Sequence, residues 1–150
     1  MPNKVKIAIA SDHAGFNLKQ YLLEHLKEAT LVDLGPNSAE SVDFPDFAEK
    51  LCRELQKGQA NRGILICGTG IGMSIAANKL RGIRAAHVES LLTAKFAAEH
   101  NFANVLCLGE RITAPFHALE MVRLWLRTEY AGARHELRLK KIKDLEDTRE

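Results

Sequence analysis

Five short apolar runs, each followed by a helical pattern, constrain the fold of this 150-residue chain more than any other feature. The runs, rich in Ile, Val and Leu, occupy residues 5–10, 31–34, 63–67, 83–86 and 105–108. Helical spacing follows at residues 16–27, 44–57, 71–80, 91–99 and 115–127. Runs of this length without polar alternation are typical of strands covered on both faces. The alternation predicts an α/β fold, a three-layer α/β/α sandwich around a five-stranded parallel, Rossmann-like sheet.

A basic segment at residues 134–143 follows a glycine-containing turn and predicts one more helix. Its apolar stripe is thin and consists of Leu137, Leu139, Ile142 and Leu145. Such a stripe can dock either on its own domain or on a second subunit. We expect residues 1–150 to form a single domain with one core.

The charge balance excludes some classes of partner. Lys and Arg number 21 against 19 Asp and Glu, which leaves a net charge of +2 and favours neither nucleic acid nor a membrane. No leader pattern precedes the first apolar run, and no run approaches the roughly eighteen residues that cross a bilayer. We therefore expect a cytoplasmic protein.

The three cysteines are widely spaced and match neither a disulfide framework nor a zinc site. No group of His, Cys and carboxylates has metal-ligand spacing, so we expect no metal. Cys52 and Cys107 fall in apolar patterns typical of the core. Cys67 ends the third run, where the positive end of the next helix lowers a thiol pKa from about 8.5. It is either a structural thiol or a base or nucleophile.

Ligands of open parallel sheets bind outside the carboxyl ends of the strands. We assign three segments to that edge: residues 11–15 with Asp12 and His13, residues 67–72, and residues 99–101 with His100 and Asn101. Singly, Asp12 and His13 can be a helix cap and His100 a capping histidine. Their joint placement on ligand-facing loops favours catalysis.

Gly68, Gly70 and Gly72 alternate in the loop after the third run. Backbone N–H groups in such a loop converge on an anion such as a phosphate or an enediolate oxygen. A dinucleotide fingerprint is the rival interpretation, since Glu89 follows at the right spacing. Met73 stands where its third glycine belongs, which argues against nucleotide binding.

Arg134 and Arg138, with His135 between them, lie four residues apart and so share one helix face. Two guanidinium groups on one face suit a phosphate. The alternative is a solvated basic face, which the neighbouring lysines favour: Lys140, Lys141 and Lys143.

Seven motifs go beyond these patterns: SDHAGF at 11–16, DFPD at 43–46, CGTGIGMSIAANK at 67–79, GIRAA at 82–86, HN at 100–101, ANVL at 103–106 and GARH at 132–135. Together they resemble the ribose-5-phosphate isomerase B family, which includes galactose-6-phosphate isomerase subunits and enzymes acting on allose 6-phosphate. The resemblance spans nearly the whole chain.

The resemblance implies an aldose-ketose isomerase that interconverts ribose 5-phosphate and ribulose 5-phosphate through an enediolate. Cys67 would be the base that moves a proton between C1 and C2. One branch of the family uses an acidic residue in the helix instead, and Met73 at that site fits the cysteine branch. His100, assisted by Asp12, would open the sugar ring, and Thr69 would move the hydroxyl proton.

The resemblance also implies how the substrate is held, without cofactor or metal. The enediolate would contact Asn101 and the N–H groups of Gly68, Gly70, Ile71 and Gly72. The phosphate would contact His13, Arg111, Arg134 and Arg138, with His135 beside them. Arg134 and Arg138 would reach in from a neighbouring subunit of a homodimer or tetramer.

Phe44 stands where many members of the family have tyrosine, which leaves selectivity open. The alternatives are isomerisation of a six-carbon sugar phosphate and a non-catalytic module that binds a sugar phosphate.

Overall fold

The computed structural model describes residues 4–149, which fold around one parallel sheet. Its strands are β1 (Val5–Ser11), β2 (Ala29–Asp33), β3 (Arg62–Cys67), β4 (Ala85–His87) and β5 (Val105–Gly109). They lie in the order β2-β1-β3-β5-β4, and every neighbouring pair is parallel. The predicted five-stranded parallel sheet is therefore confirmed.

Six α-helices connect or follow the strands: α1 (Phe16–His25), α2 (Phe44–Gln56), α3 (Ile71–Ala77), α4 (Leu91–Glu99), α5 (Pro115–Arg127) and α6 (Arg134–Asp147). A 3-10 turn at His13–Gly15 precedes α1. Strand β4 starts two residues later than the apolar run predicts, because Ile83 and Arg84 come before its first paired residue, Ala85, which lies opposite Val105. His87 consequently ends the strand.

Side chains of the central strands alternate between two apolar clusters, one on each face of the sheet. Ile7 and Ile9 belong to the cluster formed with α1, α4 and α5, which includes the fully buried Trp125. Ala8 and Ala10 belong to the cluster formed with α2 and α3. Helices thus cover both faces, which confirms the three-layer sandwich.

An ion pair between a buried lysine and a partly exposed aspartate holds the end of β2 beside the end of β1. Lys19 of α1 is fully buried, and its Nζ lies 2.9 Å from Oδ1 of Asp33. The same carboxylate accepts the N–H of Gly35, whose carbonyl accepts the N–H of Ser11 at 3.1 Å. These contacts fix the backbone immediately before Asp12.

Helix α6 differs from the other helices, because none of its described residues is buried. It starts beside the end of α4, where Ala131 donates its N–H to the carbonyl of Glu99. Its far end is tied to the turn before β4 by Arg81 and Asp147, 2.7 Å apart. Within residues 4–149, no helix has the length and apolar character needed to span a membrane.

Candidate active site

Cys67 lies at the carboxyl end of β3, beneath the glycine loop that leads into α3. Its side chain is buried, with 6% of the residue exposed. The N–H of Gly70 donates a hydrogen bond to its Sγ at 3.2 Å. A donor aimed at sulfur favours the thiolate over the thiol. The structure thus provides a means of activating this cysteine.

The glycine loop is packed closely against β5 and against α2. A Cβ at Gly109 would lie 2.5 Å from the Thr69 backbone, and a Cβ at Gly72 would lie 2.6 Å from the Phe44 ring. Gly70 adopts φ +84°, the left-handed region that favours glycine. Two loop N–H groups are engaged, that of Gly70 with Cys67 and that of Ile71 with Thr69 Oγ1 at 3.3 Å. An oxygen bound by either would replace that hydrogen bond.

Asp12 and His13 lie on the neighbouring loop, at the same edge of the sheet. Asp12 caps the 3-10 turn, since its Oδ1 accepts the Gly15 N–H at 3.1 Å. Its own N–H donates to the carbonyl of Ile66, the residue before Cys67. His13 is exposed, and its Nδ1 lies 3.2 Å from the backbone nitrogen of Val42. The cap interpretation is therefore confirmed and is compatible with a site beside Cys67.

Arg111 completes this group from the loop after β5. Its N–H donates to the carbonyl of Gly68 at 3.0 Å. Its guanidinium lies over that glycine, 3.4 Å from the position that a Cβ would occupy. The carboxyl edge therefore brings together Cys67, the glycine loop, Asp12, His13 and Arg111.

His100 and Asn101 lie at the opposite edge, and their predicted placement beside the other loops is wrong. They follow α4 and precede β5, and a segment that precedes a strand reaches the amino end of the sheet. Cys67 is level with Gly109, the last residue of β5. The length of β5, roughly 13 Å at about 3.3 Å per residue, separates the two edges within one chain.

The amino edge assembles its own group of polar side chains. The His100 ring stacks between Phe96 and His135, with centroid distances of 4.4 and 4.5 Å. Arg134 and Arg138 are exposed in the first turns of α6. Desolvation, together with His100 and the two arginines, lowers the pKa of His135. This ring therefore stays neutral near pH 7 and can accept or donate a hydrogen bond beside the arginines.

The other two cysteines are core residues, as the sequence predicts. Cys52 and Cys107 are fully buried and unpaired. Burial raises the pKa of Cys52 to about 12 and raises that of Cys107 further above its usual range. Cys67, in contrast, ends β3 at the carboxyl edge and accepts the N–H of Gly70. Residues 4–149 contain no cluster of His, Cys, Asp and Glu that could hold a metal ion.

Comparison with known proteins agrees with this arrangement. The family described as ribose/galactose isomerase matches residues 7–142. The chain belongs to the ribose/galactose isomerase family. The resemblance to ribose-5-phosphate isomerase B is thereby confirmed.

Relatives match along almost the whole chain. A putative sugar phosphate isomerase of Bacillus subtilis is 44% identical over 95% of this chain and 98% of its own length. The solved ribose-5-phosphate isomerase B of Clostridium thermocellum has a TM-score of 0.93 and 46% identity, covering 95% of this chain and 98% of that one. The enzyme from Mycoplasma genitalium, solved with bound ribulose 5-phosphate, has a TM-score of 0.92 and 41% identity, covering 99% and 100%.

The sequence does not predict one side chain at the site of this ribose/galactose isomerase, that of His87. His87 ends β4 at the carboxyl edge, and its Nε2 lies 2.7 Å from the carbonyl oxygen of Thr69. The apolar run predicted for this strand ends at residue 86, so the histidine was not assigned to a ligand-facing position. Its place just after that run was the available signal.

Proposed function

We propose that this chain is an aldose-ketose isomerase that interconverts ribose 5-phosphate and ribulose 5-phosphate, with Cys67 as the base. The observation that carries the proposal is the hydrogen bond from the Gly70 N–H to Cys67 Sγ. It places a hydrogen-bond donor on the sulfur, next to a loop of further backbone N–H groups. The names of the relatives, and the ribulose 5-phosphate bound to one of them, support the choice of substrate.

The proposed isomerisation moves two protons within the substrate and leaves its atoms and electrons unchanged in number. Cys67 removes the proton from C2 of the open aldose, and negative charge develops on the C1 oxygen. The same thiol returns the proton to C1, while Thr69 moves the hydroxyl proton from the C2 oxygen to the C1 oxygen. Loop N–H groups and Asn101 stabilise the enediolate as preorganised donors. No electrons leave the substrate, so the proposal includes neither cofactor nor metal.

Ring opening precedes this step, and we assign it to His100 assisted by Asp12. An imidazole can take the proton of the anomeric hydroxyl and deliver one to the ring oxygen. The two residues lie at opposite edges of the sheet in one chain. Their cooperation therefore requires a second copy of the chain.

We propose that the complete site forms between two copies. One copy contributes Cys67, the glycine loop, Asp12, His13 and Arg111, and the other contributes the amino-edge residues His100, Asn101, Arg134, His135 and Arg138. The phosphate is then held by His13 and the three arginines, and charge-assisted contacts of this kind suit a dianion. This arrangement extends the predicted role of α6 as an arm that reaches a partner.

Exposed apolar side chains support such an association. Ile71, Leu92 and Phe116 begin or nearly begin the helices at the carboxyl edge and are 52%, 60% and 68% exposed. Leu137 and Leu145 of α6 are 61% and 73% exposed. Apolar groups concentrated next to polar functional residues are typical of interaction surfaces. A second copy would bury them.

A coupled assay tests the proposed reaction. Purified full-length protein is supplied with ribose 5-phosphate, allose 6-phosphate or galactose 6-phosphate, each with chelator present. We expect turnover of ribose 5-phosphate, with a higher kcat/KM than for either six-carbon substrate. Preference for a six-carbon sugar would contradict the substrate assignment. If none of the three sugar phosphates is turned over, the chain would instead be a non-catalytic protein that binds a sugar phosphate.

A further inference from the structure

His87 contacts the glycine loop through one defined hydrogen bond. Its Nε2 lies 2.7 Å from the Thr69 carbonyl oxygen. A carbonyl oxygen only accepts, so Nε2 carries a hydrogen and donates it. Oε1 of Glu89 lies 3.5 Å from the same nitrogen and favours that tautomer. The side chain of His87 is 25% exposed, so the contact is largely shielded from water.

The bonded carbonyl belongs to the Thr69–Gly70 peptide, the same unit whose N–H faces the sulfur of Cys67. A trans peptide points its C=O and N–H in opposite directions. Holding the carbonyl toward His87 therefore aims the Gly70 N–H at Cys67 Sγ, 3.2 Å away. A glycine at this position would otherwise allow the peptide to rotate at small cost.

Close packing strengthens this link. A Cβ at Gly70 would lie 2.8 Å from His87 Cδ2 and 3.0 Å from the carbonyl carbon of Leu108. The imidazole thus lies directly against the backbone that it bonds. The contact joins β4 to the loop after β3, although β5 lies between these strands in the sheet.

We propose that His87 is a positioning residue, which fixes the Thr69–Gly70 peptide so that its N–H stabilises the thiolate of Cys67. The proposal rests on the role of Cys67 given above but concerns how its sulfur is ionised. Because hydrogen bonds to charged groups are stronger than those to neutral ones, the orientation favours the thiolate over the thiol.

Other ionisable groups lie near the residues adjacent to Cys67 and have no hydrogen bond with His87. Arg111 lies over Gly68, and Asp12 follows β1 beside Ile66. Cys107 of β5 lies close enough to interact electrostatically with Cys67. Cys67 belongs to the apolar cluster on the α2 and α3 face of the sheet. In that cluster it is accompanied by Met73 of α3 and by Phe44 and Cys52 of α2. A change in the ionisation of these groups would shift the alkylation midpoint of Cys67 equally in the wild type and in the His87 variants.

The ionisation of Cys67 can be measured without turnover. Burial raises the pKa values of Cys52 and Cys107, so iodoacetamide near neutral pH reports Cys67. The rate of its carboxamidomethylation is followed by peptide mass between about pH 5 and pH 10, since the thiolate is the reactive form. Wild type is compared with His87→Asn, whose shorter amide cannot reach Thr69, and with His87→Gln, whose amide nitrogen takes the place of Nε2.

We expect the midpoint of the His87→Asn profile to rise by about one pH unit, which slows alkylation at low pH by about tenfold. His87→Gln should restore the midpoint to within a few tenths of a unit. A merely structural role for the histidine would not distinguish the two amides in this way. His87→Leu, which fills similar space, replaces the Asn variant if thermal denaturation shows that the latter is not folded.

Equal midpoints in wild type and His87→Asn would overturn the proposal, as would an equal shift in the Asn and Gln variants. The result is separable from the proposed reaction. If Cys67→Ala retained turnover while His87→Asn still shifted the alkylation midpoint, the role of Cys67 as base would fail and the positioning role would stand.

Discussion

The two edges of the sheet carry functional groups of different construction. At the carboxyl edge, Cys67 and Gly70 are buried, Gly70 packs on the backbone of β5, and the adjacent Gly72 packs on the Phe44 ring of α2. At the amino edge, the arginines project from α6, none of whose described residues is buried. The first group is rigid within one chain, whereas the second is presented outward. In the proposed mechanism, proton transfer would use groups fixed within one chain, while ring opening and phosphate binding would also need the residues that α6 presents to a second copy.

The comparison also separates two demands on the chemistry. Deprotonation of carbon requires donors placed to within a fraction of an ångström, which a packed strand end provides. Phosphate binding tolerates longer and more mobile side chains, because the charge acts over a greater distance. In the proposed site, Cys67 would meet the first demand, and the exposed arginines of α6 would meet part of the second.

Replacing Cys67 by Ala should produce the largest effect at the carboxyl edge. Loss of the base lowers kcat by about 10²- to 10⁴-fold, whereas calorimetric binding of ribose 5-phosphate stays within a few-fold of wild type. The matched control is Cys52→Ala, which lowers thermal stability because the residue is fully buried but retains kcat while folded. Unchanged turnover in Cys67→Ala would remove this residue as the base.

Replacing His100 by Gln should distinguish ring opening, proposed for the amino edge, from proton transfer, proposed for the carboxyl edge. Ribulose 5-phosphate has no free hydroxyl on C5 and stays open, so ring opening matters only for the aldose. We expect turnover of ribose 5-phosphate to fall by about 10²-fold, while deuterium from D2O still enters C1 of ribulose 5-phosphate. The exposed His25 provides the control variant His25→Gln. Equal loss of both activities would show that His100 acts in proton transfer as well.

Replacing Arg138 by Gln should weaken phosphate binding without changing stability. We expect KM for ribose 5-phosphate to rise by about tenfold and Tm to stay unchanged, since the side chain is exposed. Lys141→Gln removes one charge from the same helix and should leave KM within about twofold. Similar increases in KM in both variants would show that the basic face attracts the phosphate only through its overall charge.

Replacing Phe44 by Tyr should produce the smallest change. The ring packs on Gly72, so the added hydroxyl lies beside the glycine loop. We expect the ratio of kcat/KM for ribose 5-phosphate and allose 6-phosphate to change by a few-fold and thermal stability by about 0.5 kcal/mol or less. Phe47→Tyr on the same helix, whose ring faces Gly35, is the control. An identical ratio in both variants would exclude Phe44 from selectivity.

Much of the fold could be predicted from the order of apolar runs. Ile64, Leu65 and Ile66 are buried on both faces of the sheet, and this produces the continuous apolar run visible in the sequence. Cys67 and the glycine loop could be placed because they directly follow that run. The strand order could not be predicted, since it depends on which helix packs on which face.

The errors at the site have different physical causes. His100 precedes a strand, so the βαβ rule already places it at the amino edge, and its predicted position came from grouping reactive residues. The stacking of His135 on His100 depends on the path of the turn at residues 130–133, with φ +52° at Ala133. A conformation that L residues rarely adopt leaves no clear pattern in sequence.

Pairing two inactive variants tests the central claim that the two edges meet between copies. Cys67→Ala and His100→Gln chains are mixed in equal amounts, unfolded and refolded together, and assayed with ribose 5-phosphate. Random pairing makes half of the dimers hybrids, each with one intact site of two, so activity should recover to about one quarter of wild type. Refolding each variant alone should restore nothing. Activity no higher in the mixture than in the separate variants would contradict a site shared between two copies.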